Sequence, residues 1–301
     1  MRSTRYALLL VAICLHAFTS MADEIKVPQR TVDDIIKVLD KSSQYEAEFI
    51  EAKKWTSKLP PESASPEVLN TFYVTRSEAY AKLGQVESAK KDLLLVIEKY
   101  PSKVNMLRTQ ELAMLGNYEA QTGNLALALK YLLDSRSNIP QREWGMLTGN
   151  NQNLVFLYSE MGDFTEAEKY LLDAESTLVY LRRGPFWSVL GKWWESQTGM
   201  TRGYYLLQQG KWMEAEFNLR KATSQAHEWL LEVEKLPINQ PGADRTNDPA
   251  VTGRLLRNVI PKRINSQIML AKSIAMQGRL VDAELQIREV LDLSLRYYGK
   301  T

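Results

Sequence analysis

Five times in this chain a Gly is followed two residues later by a large apolar residue and five residues later by an Ala. The sets are Gly84/Val86/Ala89, Gly123/Leu125/Ala128, Gly162/Phe164/Ala167, Gly210/Trp212/Ala215 and Gly278/Leu280/Ala283. A helical apolar pattern runs before and after each set. Gly adopts the left-handed conformation that ends a helix without the penalty a side chain would bring. An Ala in the following helix lets two helices approach closely. The unit is therefore a helical hairpin, and its tandem repetition is the mark of a solenoid. No alternating strand pattern is present, so the expected class is all-α.

Further positions recur around each turn. The first copy carries Tyr73, Ser77, Tyr80, Gly84, Ala89 and Pro101. The second carries Leu112, Gly116, Gly123, Ala128 and Pro140, with Glu119 in the place of the first copy's Tyr80 and Tyr118 beside it. The third reads Leu154, Tyr158, Gly162, Ala167, Ala174; the fourth Gly203, Gly210, Ala215, Ala222; the fifth Leu270, Ala271, Gly278, Ala283. This pattern resembles the tetratricopeptide repeat. The resemblance covers residues 66 to 298 and implies a right-handed α-solenoid of helix-turn-helix units. The turn glycines lie 39, 39, 48 and 68 residues apart, against about 34 in the standard repeat, so longer loops between repeats are expected.

Residues 1–22 read as a secretory leader. Arg2 and Arg5 precede a nearly unbroken apolar run from Ala7 to Phe18, and Ser20-Met21-Ala22 supplies small residues for cleavage after Ala22. The run is too short for a stable membrane anchor, so a periplasmic or secreted chain is expected. The leader holds the single Cys, Cys14, one of the two His and two of the 38 basic residues, leaving 36 basic and 36 acidic residues behind it. A balanced charge without runs makes nucleic acid and anionic membrane poor partners.

Residues 23–65 are expected to form an N-terminal helical cap. Val32 to Leu39 mark one amphipathic stretch; Phe49, Ile50, Trp55 and Leu59 mark a second. The array spans 66–301. It is interrupted by a Trp-rich segment with Trp187, Trp193 and Trp194, and by a Pro- and Gly-rich insertion at 236–261 in which Val251 to Ile260 suggests one short helix. The ending Tyr297-Tyr298-Gly299 resembles kinesin-light-chain repeats, without a polar-faced terminal helix. Exported bacterial chains with such repeats often continue into a caspase-like domain called CHAT. The resemblance implies a regulatory half of such a peptidase as an alternative function, or self-association through the C-terminal repeat.

The residue types argue against catalysis. Behind the leader there is no Cys, and His227 is the lone His, so Cys/His and multi-His metal sites cannot be built. No Gly-rich phosphate loop follows a strand. No catalytic residue, cofactor or metal is therefore expected, and a carboxylate site using Asp244 and Asp248 in the insertion is the weakest reading.

The family's binding surface is the groove lined by the first helices. Carried over position by position, it offers Asn117 and Gln121 in the second repeat, Gln152 and Phe156 in the third, Tyr204 and Gln208 in the fourth and Lys272 in the fifth. Amide side chains pair with an extended backbone as donor and acceptor together, and aromatic residues anchor interfaces. Asn117 and Lys272 alone match the family's carboxylate clamp, three repeats apart, so that clamp is not expected. The expectation is an exported, non-catalytic scaffold that binds a protein or peptide in its groove.

Overall fold

The computed structural model describes residues 46–234 and 249–298. The leader, the stretch at 32–39 and residues 235–248, with Asp244 and Asp248, lie outside the described residues. The described residues form eleven helices and no strand. A single helix, α1 (Glu46–Thr56), precedes five hairpins: α2 (Pro66–Lys82) with α3 (Val86–Lys99), α4 (Asn105–Gln121) with α5 (Leu125–Ser137), α6 (Trp144–Glu160) with α7 (Phe164–Leu181), α8 (Trp187–Gln208) with α9 (Trp212–Glu234), and α10 (Pro249–Met276) with α11 (Leu280–Tyr298). The architecture is an α-solenoid of helical repeats.

Each hairpin turns at its Gly. Gly84, Gly123, Gly162, Gly210 and Gly278 all have positive φ, between 72° and 82°. At the first turn Gly84 N–H donates to the Ala81 carbonyl and Gln85 N–H to the Tyr80 carbonyl, at 3.0 and 2.9 Å. These are the two bonds that satisfy the last carbonyls of a helix closed by a left-handed residue. The Ala five residues on is fully buried in four copies and nearly so at Ala283. Ser65 starts the array by accepting a bond from Val68 N–H at 3.4 Å, with Pro66 at the first helical position.

The residue seven before the turn Gly is small in four hairpins (Ser77, Gly116, Gly203 and Ala271) and is the buried Val155 in the third. A Cβ at Gly116 would stand 2.9 Å from Leu132 Cγ, and one at Gly203 would stand 2.5 Å from Leu219 Cγ. Ser77 takes this place in the first hairpin and donates to the Ala89 carbonyl at 2.9 Å. Glu119, which stands where the pattern calls for an aromatic, is explained by its partners. It receives Lys90 Nζ from the preceding hairpin at 2.9 Å and Asn124 Nδ2 from its own turn at 2.7 Å.

One apolar core, including Leu132, Leu154, Leu171, Leu219 and Ile274, runs from the second hairpin to the fifth. The Trp229 side chain anchors a second cluster and donates from Nε1 to the Val189 carbonyl at 2.8 Å. The first helices α4, α6, α8 and α10 touch their successors, which places them on the inner side of the array. Trp55 of α1 meets Phe72 of α2 with ring centroids 6.0 Å apart.

The extra repeat length sits elsewhere than expected. The connectors 100–104, 138–143 and 182–186 are short. The wider third spacing is instead taken up by long helices, with 18 residues in α7 and 22 in α8. The helix expected at 251–260 is the start of α10, which continues for 28 residues through Pro261. Pro261 has no N–H for the carbonyl of residue 257, a local loss the rest of the helix tolerates.

Candidate functional site

A cavity of about 310 Å³ opens on the inner side, walled by α4, α6 and α8, within the usual size range of ligand pockets. Gly145 and Gly149 of the central helix α6 lie along it. Gln110, Ala113 and Asn117 of α4 form one wall, and Trp193, Trp194 and Gln197 of α8 the other. Lys262 of α10 also reaches it.

The geometry follows from helix periodicity. The family's groove positions fall two, six and ten residues before each turn Gly. Continuing that face by three and then four residues reaches Gln110 on α4, Gly149 and Gly145 on α6, and Gln197 and Trp193 on α8. Trp194 and Lys262 occupy equivalent positions on α8 and α10, each sixteen residues before its turn Gly. The cavity is thus the groove extended by two helical turns toward the helix N-termini, which the length of α8 and α10 makes possible.

Gly145 and Gly149 make the room. A Cβ on Gly145 would lie 3.1 Å from Trp194 Cζ2, and one on Gly149 would meet nothing within 4 Å. Glycine inside a helix costs about 0.5–1 kcal/mol relative to alanine, a cost that Gly149 carries on the cavity side, while Gly145 lies in the first turn. Trp193 and Trp194 pack edge to face with centroids 4.2 Å apart.

Several polar groups at the wall are buried without partners. Gln197 is 2% exposed, and neither its Oε1 nor its Nε2 has a hydrogen-bond partner. Asn150 is 4% exposed; its Nδ2 donates to the Leu132 carbonyl at 3.2 Å and to Ser135 Oγ at 3.0 Å, which leaves Oδ1 unpaired. Trp193 Nε1 is also unpaired. Buried polar groups are nearly always bonded, and an unpaired one costs about 1–3 kcal/mol. Lys262 is the lone ionisable residue of the lining, and no carboxylate among the described residues pairs with it. Burial pushes its ammonium below the usual lysine range.

The sequence-derived groove residues separate into three groups. Asn117, Gln152 and Phe156 line the cavity. Gln152 is buried there and donates from Nε2 to Thr198 Oγ1 at 3.3 Å. Tyr204 and Gln208 form a different cluster nearer the turns. The Tyr204 hydroxyl donates to Glu160 Oε1, Gln208 Nε2 donates to the Tyr204 hydroxyl at 2.8 Å, and the Tyr204 ring meets Phe156 edge to face at 4.8 Å. Tyr204 is buried. Gln121 and Lys272 are exposed and apart from the cavity. Sequence reasoning did not include Gln197, Asn150 or Lys262 in the groove. Extending the stripe by its own three- and four-residue steps would have reached Gln197.

His227 lies on the exposed side of α9, with Nδ1 2.8 Å from Arg263 Nη1. Among the described residues no helix is long and apolar enough to cross a membrane.

The fold and the cavity define a helical-repeat protein with a lined inner face. A tetratricopeptide-repeat family model matches residues 150–176, within the α6–α7 hairpin. No curated protein matches the chain. Among solved structures, BtubC (BKLC) from P. vanneervenii is 14% identical with a TM-score of 0.47, covering 84% of this chain and 91% of its own. The nearly identical TPR-like repeats of a Podosopora anserina kinesin light chain are 15% identical with a TM-score of 0.45, covering 78% and 98%. MamA AMB-1 is 16% identical with a TM-score of 0.37, covering 74% and 97%. At these identities no ligand or partner carries over to this chain.

Proposed function

We propose that this chain is a non-catalytic, protein-binding repeat scaffold that holds a segment of a partner polypeptide in the cavity between α4, α6 and α8. The observation that carries the reading is the Gln197 side chain, buried at the cavity wall with donor and acceptor both unpaired. A carboxamide in that state is suited to the N–H and C=O of an extended backbone. Trp193, Trp194 and Phe156 supply apolar and aromatic surface of the kind that dominates interface energies. Pull-down with wild type and a Gly149→Leu variant, which fills the cavity, tests the reading. Partners lost selectively by the variant support it, and identical partner sets would sink it.

The leader-like residues 1–22 support a periplasmic or secreted setting for this scaffold. Fractionation of cells that express the full gene, with mass determination of the mature N-terminus, tests that placement; a mature chain that keeps Met1 in the cytoplasm would overturn it.

A second reading is a regulatory array that serves a caspase-like CHAT domain. It is favoured by Leu280, Ile287 and Leu291, which form an exposed apolar stripe on α11. The same stripe suits self-association. Reading the gene downstream of the Thr301 codon tests the peptidase version, and an immediate stop codon would end it. A Leu280→Glu/Ile287→Glu variant, compared with wild type by light scattering, tests self-association; equal masses would end that version.

A further inference from the structure

We infer that the cavity selects an extended internal peptide segment with an acidic side chain, whose carboxylate pairs with Lys262. This rests on the reading that the cavity holds a partner polypeptide.

Three features converge on the same ligand chemistry. Lys262 is the lone charge of the lining and has no acidic partner among the described residues. A half-buried ammonium facing a cavity without a counter-charge leaves its pairing to whatever enters. The second feature is the polar set. Gln197 brings an unpaired donor and acceptor, and Asn150 Oδ1 is fixed as an acceptor by the bonds its Nδ2 already makes. Together they answer one carboxylate and a stretch of backbone. A second cation, as a free chain terminus flanked by other acids would favour, is lacking from the lining. The third feature is extent. The same face continues toward the turns through Asn117 and Phe156, so a chain that enters the cavity has surface to follow beyond it.

The glycines set the depth. Gly145 and Gly149 open α6 next to the paired indoles Trp193 and Trp194. Lys262 of α10 borders the same cavity as these indoles, so one entering acidic side chain meets both a cation and apolar surface.

The test is an array of immobilised, N-acetylated and C-amidated nonapeptides with mixed flanks and a centre fixed as Glu, Gln or Lys. A parallel set has a Gln centre and a free C-terminal carboxylate. The full chain is applied as wild type, Lys262→Met, Lys262→Arg and Gly149→Leu. The inference expects retention on the blocked Glu set, a loss of about tenfold or more in affinity there with Lys262→Met, and retention with Lys262→Arg. Equal binding to Glu and Gln sets, or no effect of Lys262→Met, overturns the acidic anchor while leaving the cavity reading standing. Stronger binding to the free-carboxylate set overturns the internal segment in favour of a chain terminus. Absence of peptide binding, or binding that Gly149→Leu leaves unchanged, overturns the cavity reading and this inference with it.

Discussion

The indole of Trp194 on α8 lies directly over Gly145 on α6, close enough that a β-carbon at 145 would stand 3.1 Å from Cζ2. The contact joins the third hairpin to the fourth at the cavity rim. Gly145→Ala is expected to displace the indole by a few tenths of an ångström. The indole needs to give by only that much and residue 145 lies in the first turn of its helix, so global stability should change by less than about 1 kcal/mol. Tryptophan emission and ligand affinity should change far more than the unfolding midpoint. A variant with unaltered emission and affinity would show that the contact does not shape the cavity.

Glycine substitutions should separate by role. Gly149→Ala meets open space in a helix and should stabilise by about 0.5–1 kcal/mol. Gly162→Ala must hold a φ of 76° and should cost about 1–2 kcal/mol. Gly203→Ala drives a methyl to 2.5 Å from Leu219 Cγ in the core and should cost about 1–3 kcal/mol. Denaturant unfolding of the three variants checks the order, and a stabilising Gly203→Ala would contradict the packing described.

Lys90 and Glu119 form a buried pair at 2.9 Å between the first two hairpins. Glu119→Ala leaves the buried ammonium only the Thr122 hydroxyl at 2.9 Å and the exposed Glu87 carboxylate at 3.4 Å, and should cost up to about 3–5 kcal/mol. Lys90→Met with Glu119→Leu removes both charges and should cost clearly less than Glu119→Ala alone. A double-mutant cycle by chemical denaturation measures the difference; additive single effects would show the pair to be uncoupled.

Glu216 on α9 accepts bonds from Gln277 at 2.7 Å and from Arg279 at 3.0 Å, and so ties the fourth hairpin to the turn of the fifth. Burial opposes its ionisation, yet the bonds from Gln277, Arg220 and Arg279 prevail and hold its carboxyl below the ordinary value of 4.5. A depressed folded value means the stabilisation is present above about pH 4.5 and is lost as pH falls through the folded value. Acid should therefore weaken the tie between the fourth and fifth hairpins. Hydrogen exchange of α10 and α11 from pH 6 downward reads this out, and Glu216→Gln should flatten the dependence; an acid response identical in the variant would place its origin elsewhere.

Lys262→Met should leave the ligand-free protein as stable as wild type or more so. Burial disfavours its ammonium, so the cost of keeping it charged is present at neutral pH and disappears as pH rises toward the ordinary value of 10.5. Thermal unfolding at neutral pH compares the two. A clear loss of stability in the variant would mean that Lys262 packs structurally instead of standing ready for a ligand.

The hairpins were legible in the sequence because each rests on a local requirement. A left-handed residue must end the first helix, as at Gly162, and a small one must sit where the helices cross, as at Gly203. Glu119 read as a departure, because its partner Lys90 lies in the previous hairpin and no local spacing links them. The cavity was legible in part. Asn117, Gln152 and Phe156 fall on it because the family positions run along that face. Gln197 and Lys262 escaped because they lie upstream of those positions, on helix turns that the pattern of a standard repeat does not contain. Tyr204 shared the right face, but Glu160 and Gln208 engage its hydroxyl inside the array, a matter of side-chain direction that spacing does not carry.

Lys262 belongs to the fifth hairpin, yet it meets a cavity whose far wall is the second. A bound segment would therefore be held by parts of the chain some 150 residues apart in sequence. In an array where each hairpin rests mainly on its neighbours, small rotations at successive interfaces add up across that span. Any change in that accumulated rotation changes the separation of Lys262 from Gln110. A ligand that holds both ends at once would therefore tie non-neighbouring repeats together and resist deformation of the hairpins between them.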